Sequence, residues 1–213
     1  MAVIGGEQLR KLLSDATPLE DRLVVTPILE PEVQIGQSSV DVRLGSQFIV
    51  TKTSQVGGVE PYRGVTPTDV EQYQETLHVG FNEPLWIHPG TFVLGATLEY
   101  LKLPGHLYAN VTARSSWARL GLSIASAVAV HPGFYGCLTL ELVNNGNTPV
   151  AIHPGDRIGQ LTVYVVEGDE VPSVEGKYLG SIAPGYSRLP TEEDERRRWE
   201  KVGKAMQSVP RKK

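Results

Sequence analysis

The sequence predicts a mainly β protein with a short helix near the N-terminus and a charged helix near the C-terminus. Between about residues 33 and 166, short apolar or alternating runs are separated by glycine, proline and asparagine. Helical periodicity is confined to the two ends of the chain. Many short strands with frequent turn residues are typical of a β-sandwich or β-barrel.

The N-terminal helix is predicted at residues 6–13, where apolar residues recur at helical spacing. Ser14, Asp15 and Pro18 follow and are expected to end it. Residues 40–44 then alternate strictly between apolar and polar side chains, which predicts a strand with one buried face. Further strands are predicted at residues 48–50, 77–79, 85–87 and 92–94.

The tripeptide His-Pro-Gly occurs three times, beginning at His88, His131 and His153. Proline presets the first central position of a β-turn and glycine supplies positive φ at the second, so each copy predicts a type II turn between strands. A zinc site built from these histidines is the alternative, and the turn interpretation is simpler because it explains all three residues of each copy.

Residues 51–76 are polar and rich in glycine, proline, threonine and glutamine, which predicts a long surface insertion covering a site or a subunit contact. One helical turn is expected in it, near residues 69–71. After residue 166 the chain is loop-like, and Thr191 then caps the predicted charged helix. We therefore divide the chain into a domain of residues 1–190 and a charged helical tail of residues 191–213.

Composition narrows the function classes. The chain has 213 residues and a formal net charge of −4, which argues against broad nucleic-acid binding. The longest apolar runs are too short for a bilayer span and the N-terminus lacks the order of a secretory signal, so no membrane partner and a cytoplasmic location are expected. Cys137 is the only cysteine, so no intrachain disulfide forms, and its strand setting predicts a small buried hydrophobe.

Candidate chemistry is concentrated between residues 114 and 141. Arg114 and Arg119 offer forked donors suited to phosphate or a carbonyl, and Ser115 and Ser116 add hydroxyls. Glu141 lies in an apolar strand, where burial would raise the pKa of its carboxyl toward that of a working acid or base. These groups suit an anionic, polar small molecule. The alternative is a turn with a surface ion pair and a carboxylate that faces water.

Five segments, in this order along the chain, resemble motifs of the dCTP deaminase branch of the trimeric dUTPase superfamily. They are residues 37–45, 85–90, 114–121, 132–141 and 154–161. The resemblance covers about residues 5–189. It implies a distorted jelly-roll β fold or barrel of the dUTPase-like type, a homotrimer with active sites between subunits, and hydrolytic deamination of dCTP to dUTP.

The resemblance also implies that no zinc takes part. Zinc nucleobase deaminases use a His-x-Glu and Pro-Cys-x-x-Cys arrangement, which a chain with one cysteine does not supply. In the implied mechanism Glu141 takes a proton from the water that attacks C4 of cytosine and passes protons to the departing ammonia. Ser115 and the backbone carbonyl of Ala127 hold that water, and Arg119 orients the groups around it.

The resemblance assigns Arg114, Ser116, Gln160 and Lys177 to the triphosphate, and magnesium is expected to accompany the phosphates rather than bind a dedicated protein site. The remaining substrate-binding positions that it implies are Trp117, Ala118, His131, Thr139, Leu140 and Ser181.

Two positions depart from the family pattern. His131 stands where the relatives have an aspartate that accepts a hydrogen bond from the deoxyribose 3′-hydroxyl; a neutral imidazole can accept this bond and a protonated one cannot. His131 is equally well explained as a turn residue. Ser181 stands where the family lid has a glutamine. These departures keep three alternatives open: a modified, mono- or diphosphate cytosine nucleotide as substrate, a dUTP diphosphatase or bifunctional deaminase-diphosphatase, and a nucleotide-binding regulatory trimer with weak catalysis.

Overall fold

The computed structural model describes residues 2–52, 73–124, 129–168, 178–187, 197–202 and 204. Contacts between Cα atoms divide the chain into two compact units. The first consists of residues 1–51 and 76–185, and the second of residues 52–75 and 186–213. The predicted division at residue 190 stays a prediction. In the described part of the chain, no helix combines the length and apolar character that crossing a bilayer requires.

Three short helices lie in the described part of the first unit. The N-terminal helix, α1 (Gly6–Leu13), has the predicted bounds, and it buries Leu9 completely. Helix α2 (Pro31–Gln34) was not predicted; it has proline in its first turn and buries Gln34. Helix α3 is Ser115–Ala118. In the second unit, residues 197–202 are helical, which confirms that part of the charged C-terminal helix, whereas residues 191–196 lie outside the described residues.

The strands confirm the mainly β prediction. They are β1 (Ala2–Val3), β2 (Val24–Thr26), β3 (Val40–Thr51), β4 (Gln74–His78), β5 (Leu85–Ile87), β6 (Phe92–Lys102), β7 (Leu107–Ala113), β8 (Leu122–Ile124), β9 (Ala129–Val130), β10 (Tyr135–Asn144), β11 (Val150–Ile152) and β12 (Arg157–Val165). The order along the main sheet is β8-β10-β6-β3-β12-β7-β9, and β5 pairs with β11 in a separate two-stranded sheet.

Strand β3 joins the two parts of the main sheet. Its first residues pair with β12, as in Asp41 opposite Gln160, and its later residues pair with β6, as in Phe48 opposite Gly95. The register shifts between Leu44 and Phe48. The two strands predicted at residues 40–44 and 48–50 are therefore one strand with an irregularity in its pairing with β6. The change of partner from β12 to β6 comes before this irregularity, between Arg43 and Leu44.

Both faces of the first half of β3 are buried. Val40, Val42 and Leu44 are fully buried in the hydrophobic core, as their alternation predicted. Asp41 and Arg43 point to the other face, yet only 6% and 5% of their surfaces are exposed. Because a buried charge is costly unless it is paired, the partners of these two side chains decide how β3 is held.

All three His-Pro-Gly turns are confirmed. The glycines have positive φ values of 73° at Gly90, 79° at Gly133 and 91° at Gly155. Each histidine carbonyl accepts a hydrogen bond from the amide three residues later, at 3.0 to 3.1 Å. These are the two properties of a type II turn.

The predicted insertion at residues 51–76 ends earlier than expected, because β4 begins at Gln74 and not at residue 77. Lys52 and Glu75 form an ion pair of 3.2 Å within the second unit. The helical turn predicted near residues 69–71 lies outside the described residues.

The turn after α3 requires glycine, and this yields a prediction. Gly121 has φ +89°, and a Cβ placed on it would lie 2.6 Å from the backbone of Gly146. We expect Gly121→Ala to lower the free energy of unfolding by about 3 kcal/mol or more, since it adds a backbone clash to a left-handed strain of about 1–2 kcal/mol.

The matched control is Gly90→Ala. Gly90 has φ +73° and no atom within 4 Å of an added Cβ, so it carries the strain without the clash. Chemical denaturation at equal protein concentration measures both variants. Equal losses at the two positions would show that the contact with Gly146 does not matter.

Candidate active site

The Arg-Ser-Ser-Trp segment lies where β7 ends and α3 begins. The Arg114 amide donates to the carbonyl of Ile158 at 3.0 Å, which ties the start of α3 to β12. At the other end of the motif, Asn145 N donates to the carbonyl of Gly121 at 2.8 Å. Asn145 lies in the loop after β10, and buried Asn144 fixes this loop by donating from Nδ2 to the carbonyls of Ile87 and Thr148, at 2.8 and 2.9 Å. Both ends of the motif are therefore held by backbone contacts.

The side chains of this motif differ in exposure. Ser115, Ser116, Ala118 and Arg119 are exposed in the single chain. Trp117 is half-buried, packs against the hydrophobic core, and donates from its indole Nε1 to the carbonyl of Arg157 at 2.9 Å. Trp117 therefore anchors α3, while the serines and Arg119 face outward.

Glu141 lies in β10, opposite Leu94 of β6. Its neighbours Leu140 and Leu142 are buried in the core, at 1% and 0% exposure, so Glu141 and Thr139 point to the opposite face. The side chain is half-buried, so the single chain buries it less than the sequence led us to expect. Among the described residues, no hydrogen bond or ion pair joins Glu141 to Ser115 or Arg119.

Asp41 brings together two of the residues expected to bind phosphate. Its Oδ2 lies 3.3 Å from Nε of Arg114 and 3.1 Å from a terminal nitrogen of Arg157. Its Oδ1 accepts a hydrogen bond of 3.2 Å from Gln160 Nε2. Arg114 also donates to the carbonyl of Arg157 at 3.5 Å. One buried carboxylate therefore contacts two arginines and an amide.

A second buried cluster lies on the same face of β3. Glu99 is fully buried; its Oε2 accepts from the Arg43 amide at 2.8 Å and its Oε1 from Gln34 Nε2 at 2.9 Å. Arg43 also forms an ion pair of 2.7 Å with Glu30 and a short hydrogen bond to the Gln34 side chain. Burial raises the pKa of the Glu99 carboxyl, although the Arg43 amide and guanidinium act in the opposite direction.

Residues 178–185 lie along β10. Cys137 N donates to the carbonyl of Ser181 at 2.7 Å, and Gly185 N donates to Thr139 Oγ1 at 3.1 Å. A Cβ on Gly136 would lie 2.9 Å from the Ser181 carbonyl oxygen, so this approach requires glycine there. This segment thus places Ser181 beside the strand that carries Thr139, and both residues were predicted to bind substrate.

Cys137 is buried, as predicted. Burial, and then the charge of Glu99, raise the pKa of its thiol, which favours the neutral form. His131 is exposed and its ring meets that of Tyr108 edge to face, with 6.1 Å between centroids.

Two predicted site residues, Ala127 and Lys177, lie outside the described residues. Within the described ranges, no group of three or more histidine, cysteine, aspartate or glutamate side chains is placed to hold a metal ion.

Asp41 and Arg157 are the residues that the sequence interpretation did not single out. Asp41 was seen only as a polar position in an alternating strand, and Arg157 only as part of the last motif. The sequence did contain a weak signal for Asp41. Asp41 and Arg43 flank Val42 in a strand that enters the core, and a buried charge needs a partner. The identity of that partner depends on the pairing of β3 with β12, which is not a local property.

Comparisons with known proteins agree with these motifs. A family model described as dCTP deaminase-like matches residues 3–166. A protein of Methanothermobacter thermautotrophicus named "dCTP deaminase, dUMP-forming" is 35% identical over 195 residues, covering 89% of this chain and 94% of the relative. One of the same name from Dictyoglomus thermophilum is 40% identical over 175 residues, covering 80% and 88%.

A solved structure shows the same fold. The crystal structure of 2′-deoxycytidine 5′-triphosphate deaminase from Agrobacterium tumefaciens superposes with a TM-score of 0.57 at 21% identity. The match covers 77% of this chain and 48% of that longer chain. It confirms the fold class that the motifs implied.

The raised pKa of Glu99 predicts a pH dependence of stability. The folded state holds this proton more tightly than the unfolded state, whose carboxyl has its ordinary pKa of 4.5. Stability from this group is therefore complete below that pH and is lost as pH rises toward the raised value, with a slope of at most about 1.4 kcal/mol per pH unit.

Glu99→Gln isolates this contribution. The Arg43 amide and Gln34 Nε2 each donate to a different oxygen of Glu99, and glutamine offers only one acceptor oxygen. We therefore expect the variant to be about 1–3 kcal/mol less stable than the wild type near pH 4.5. The difference should shrink as pH rises. Urea unfolding between pH 4.5 and 8 measures it, with Glu20→Gln as an exposed control. A difference that stays constant or grows with pH would contradict the prediction.

Proposed function

Because this chain belongs to the dCTP deaminase-like family, we propose that it catalyses the hydrolytic deamination of dCTP. The observation that carries the proposal is Glu141. It is a half-buried carboxylate on the face of β10 opposite the core leucines, in a chain that also carries the exposed Ser115 and Ser116 next to Arg114. A carboxylate held by a rigid strand is suited to general acid-base work.

In the proposed reaction Glu141 accepts a proton from water as the oxygen attacks C4 of cytosine. A C–O bond forms as the C4=N3 double bond opens, and Glu141 delivers the proton to N3. Glu141 then moves a proton from the new C4 hydroxyl to the exocyclic amine, and the C–N bond breaks to release ammonia while C4 becomes a carbonyl of uracil. Ser115 and the carbonyl of Ala127 hold the water and Arg119 orients the reacting groups. The product keeps its phosphates at this step and carries uracil.

The triphosphate is proposed to bind at Arg114, Ser116, Gln160 and Lys177. Arg114 supports this assignment, since its guanidinium is held beside Asp41 at the start of an exposed serine pair. Magnesium enters with the nucleotide as part of the substrate, because it commonly binds through phosphate oxygens.

We place the active site between subunits of a homotrimer. In the single chain, Ser115 and Arg119 face outward and Glu141 forms no bond to either among the described residues. A serine-arginine segment from one subunit and the β10 glutamate from another would complete one site. This arrangement would also bury Glu141 further.

A second activity, removal of pyrophosphate to give dUMP, is favoured by the relatives. The resemblance of the motifs implied dUTP as product, with a bifunctional deaminase-diphosphatase as an alternative. The relatives from Methanothermobacter thermautotrophicus and Dictyoglomus thermophilum are named dUMP-forming. We therefore propose that this chain also hydrolyses the triphosphate, even though His131 stands where the dUTPase aspartate would be.

The catalytic role of Glu141 is tested by Glu141→Gln. Glutamine keeps the shape but accepts no proton, so we expect ammonia release from dCTP to fall by at least about 100-fold. Glu7→Gln, on the exposed face of α1, is the control and should keep the wild-type rate. Calorimetric titration of the wild type and of Glu141→Gln with dCTP separates binding from turnover. Deamination that survives Glu141→Gln would reject the mechanism, and a wild-type protein that binds dCTP without turnover would indicate a regulatory trimer.

The product is tested by following ammonia and pyrophosphate separately with dCTP·Mg. We expect the two to be released in equal amounts, with dUMP as the final nucleotide. Ammonia with dUTP accumulation would show deamination alone. Supplying dUTP then tells whether the diphosphatase step accepts the free intermediate.

A further inference from the structure

Resting on the proposed function, the structure assigns Asp41 as a positioning residue that fixes the Arg114 guanidinium for the triphosphate. Asp41 is 6% exposed, and its Oδ2 lies 3.3 Å from Nε of Arg114. It is therefore placed to act through Arg114 rather than on the nucleotide. A carboxylate that only balanced surface charge would not need such burial.

The way Arg114 is held leaves its phosphate-binding edge available. Nε forms an ion pair with Asp41 at 3.3 Å, and one terminal nitrogen donates a long hydrogen bond of 3.5 Å to the Arg157 carbonyl. A guanidinium has five N–H donors, and among the described residues the second terminal nitrogen makes no hydrogen bond. An arginine held in place by a carboxylate and a carbonyl can use its remaining donors for a charge-assisted, bidentate contact with a phosphate.

Arg157 prevents Asp41 from cancelling the charge of Arg114. Two guanidinium groups lie within 3.3 Å of one carboxylate oxygen, so the three groups together carry a formal charge of +1. The cluster thus stays attractive to an anion while the position of Arg114 is defined.

The backbone of Asp41 is itself held by a buried side chain. Buried Gln34 donates from Nε2 both to the backbone carbonyl of Asp41, at 3.0 Å, and to Glu99, at 2.9 Å. The Asp41 backbone is therefore connected to the Glu99–Arg43 cluster. The Glu99 cluster supports the strand, whereas the Asp41 side chain contacts Arg114 and Gln160, two of the residues proposed to bind the triphosphate.

Asp41→Asn separates position from charge. Asparagine has one acceptor oxygen where aspartate has two, and it carries no charge, so both arginines lose their ion-pair partner in either orientation of the amide. Arg114 is then no longer fixed. A purely electrostatic role predicts tighter anion binding, since a negative charge is removed next to two arginines. The positioning role predicts weaker binding, on the order of tenfold, because a bidentate contact is lost.

The experiment is a double-mutant cycle read by calorimetric binding of inorganic triphosphate to the full chain. Asp41→Asn, Arg114→Met and the double variant are compared with the wild type. If Asp41 acts through Arg114, adding Asp41→Asn to Arg114→Met should change Kd by less than about twofold. Additive effects, or tighter binding by Asp41→Asn, would overturn the inference.

Glu99→Gln is the matched control, because it disturbs a buried carboxylate on the same face without touching Arg114. It should leave the Kd for inorganic triphosphate within about twofold of the wild type. If it weakens binding as much as Asp41→Asn does, the effect of Asp41 is structural and the inference fails. Asp41→Glu, which keeps the charge and shifts Oδ2, replaces Asp41→Asn if that variant does not fold, and positioning again predicts weaker binding.

The steady-state constants give a second test. With dCTP, Asp41→Asn should raise KM with little change in kcat, since Arg114 contacts the phosphates and not C4. A wild type that binds inorganic triphosphate but releases no ammonia would refute the proposed deaminase and still leave the binding cycle valid. A wild type that binds no inorganic triphosphate would overturn the role of Asp41.

Discussion

The burial of charge on the second face of β3 is the constraint on which the rest of the structure depends. One face of this strand packs into the hydrophobic core, and the other presents Asp41 and Arg43 where little water reaches. Each charge needs a partner to offset its desolvation. Arg43 finds Glu99 on β6, and Asp41 finds Arg114 at the end of β7. Pairing these charges joins both parts of the sheet to the segment that carries the chemistry.

The two halves of the proposed site are built in different ways. Glu141 is part of a long strand whose neighbouring leucines fill the core, so its position is set by packing. Ser115 begins a four-residue helix and Arg119 directly follows it; so short a helix has little stability of its own, and Trp117 and the backbone of Arg114 attach it to β12. Packing of a long strand and attachment of a short helix thus fix the two halves of the proposed site independently of each other.

Much of the fold was predictable because its signals are local. Residues 6–13 form the predicted helix, and the glycines of the His-Pro-Gly turns have the expected positive φ. Other features were missed because their causes are distant in sequence. Helix α2 is too short to show periodicity, and its buried Gln34 is satisfied by Glu99, 65 residues away. Strand β3 changes its partner from β12 to β6 after Arg43, which no local pattern reveals.

The sequence alone indicated the kind of chemistry, because five segments, including the Arg-Ser-Ser segment and the strand of Glu141, resemble motifs of the dCTP deaminases in the same order. Tertiary structure decided which charges meet. Asp41 and Arg157 are 116 residues apart and become partners only because β12 pairs with β3 in one register. A shift of one residue would turn Gln160 and Asp41 to opposite faces, because side chains alternate along a strand. Residue types are encoded locally, whereas the pairing of buried charges depends on long-range strand register.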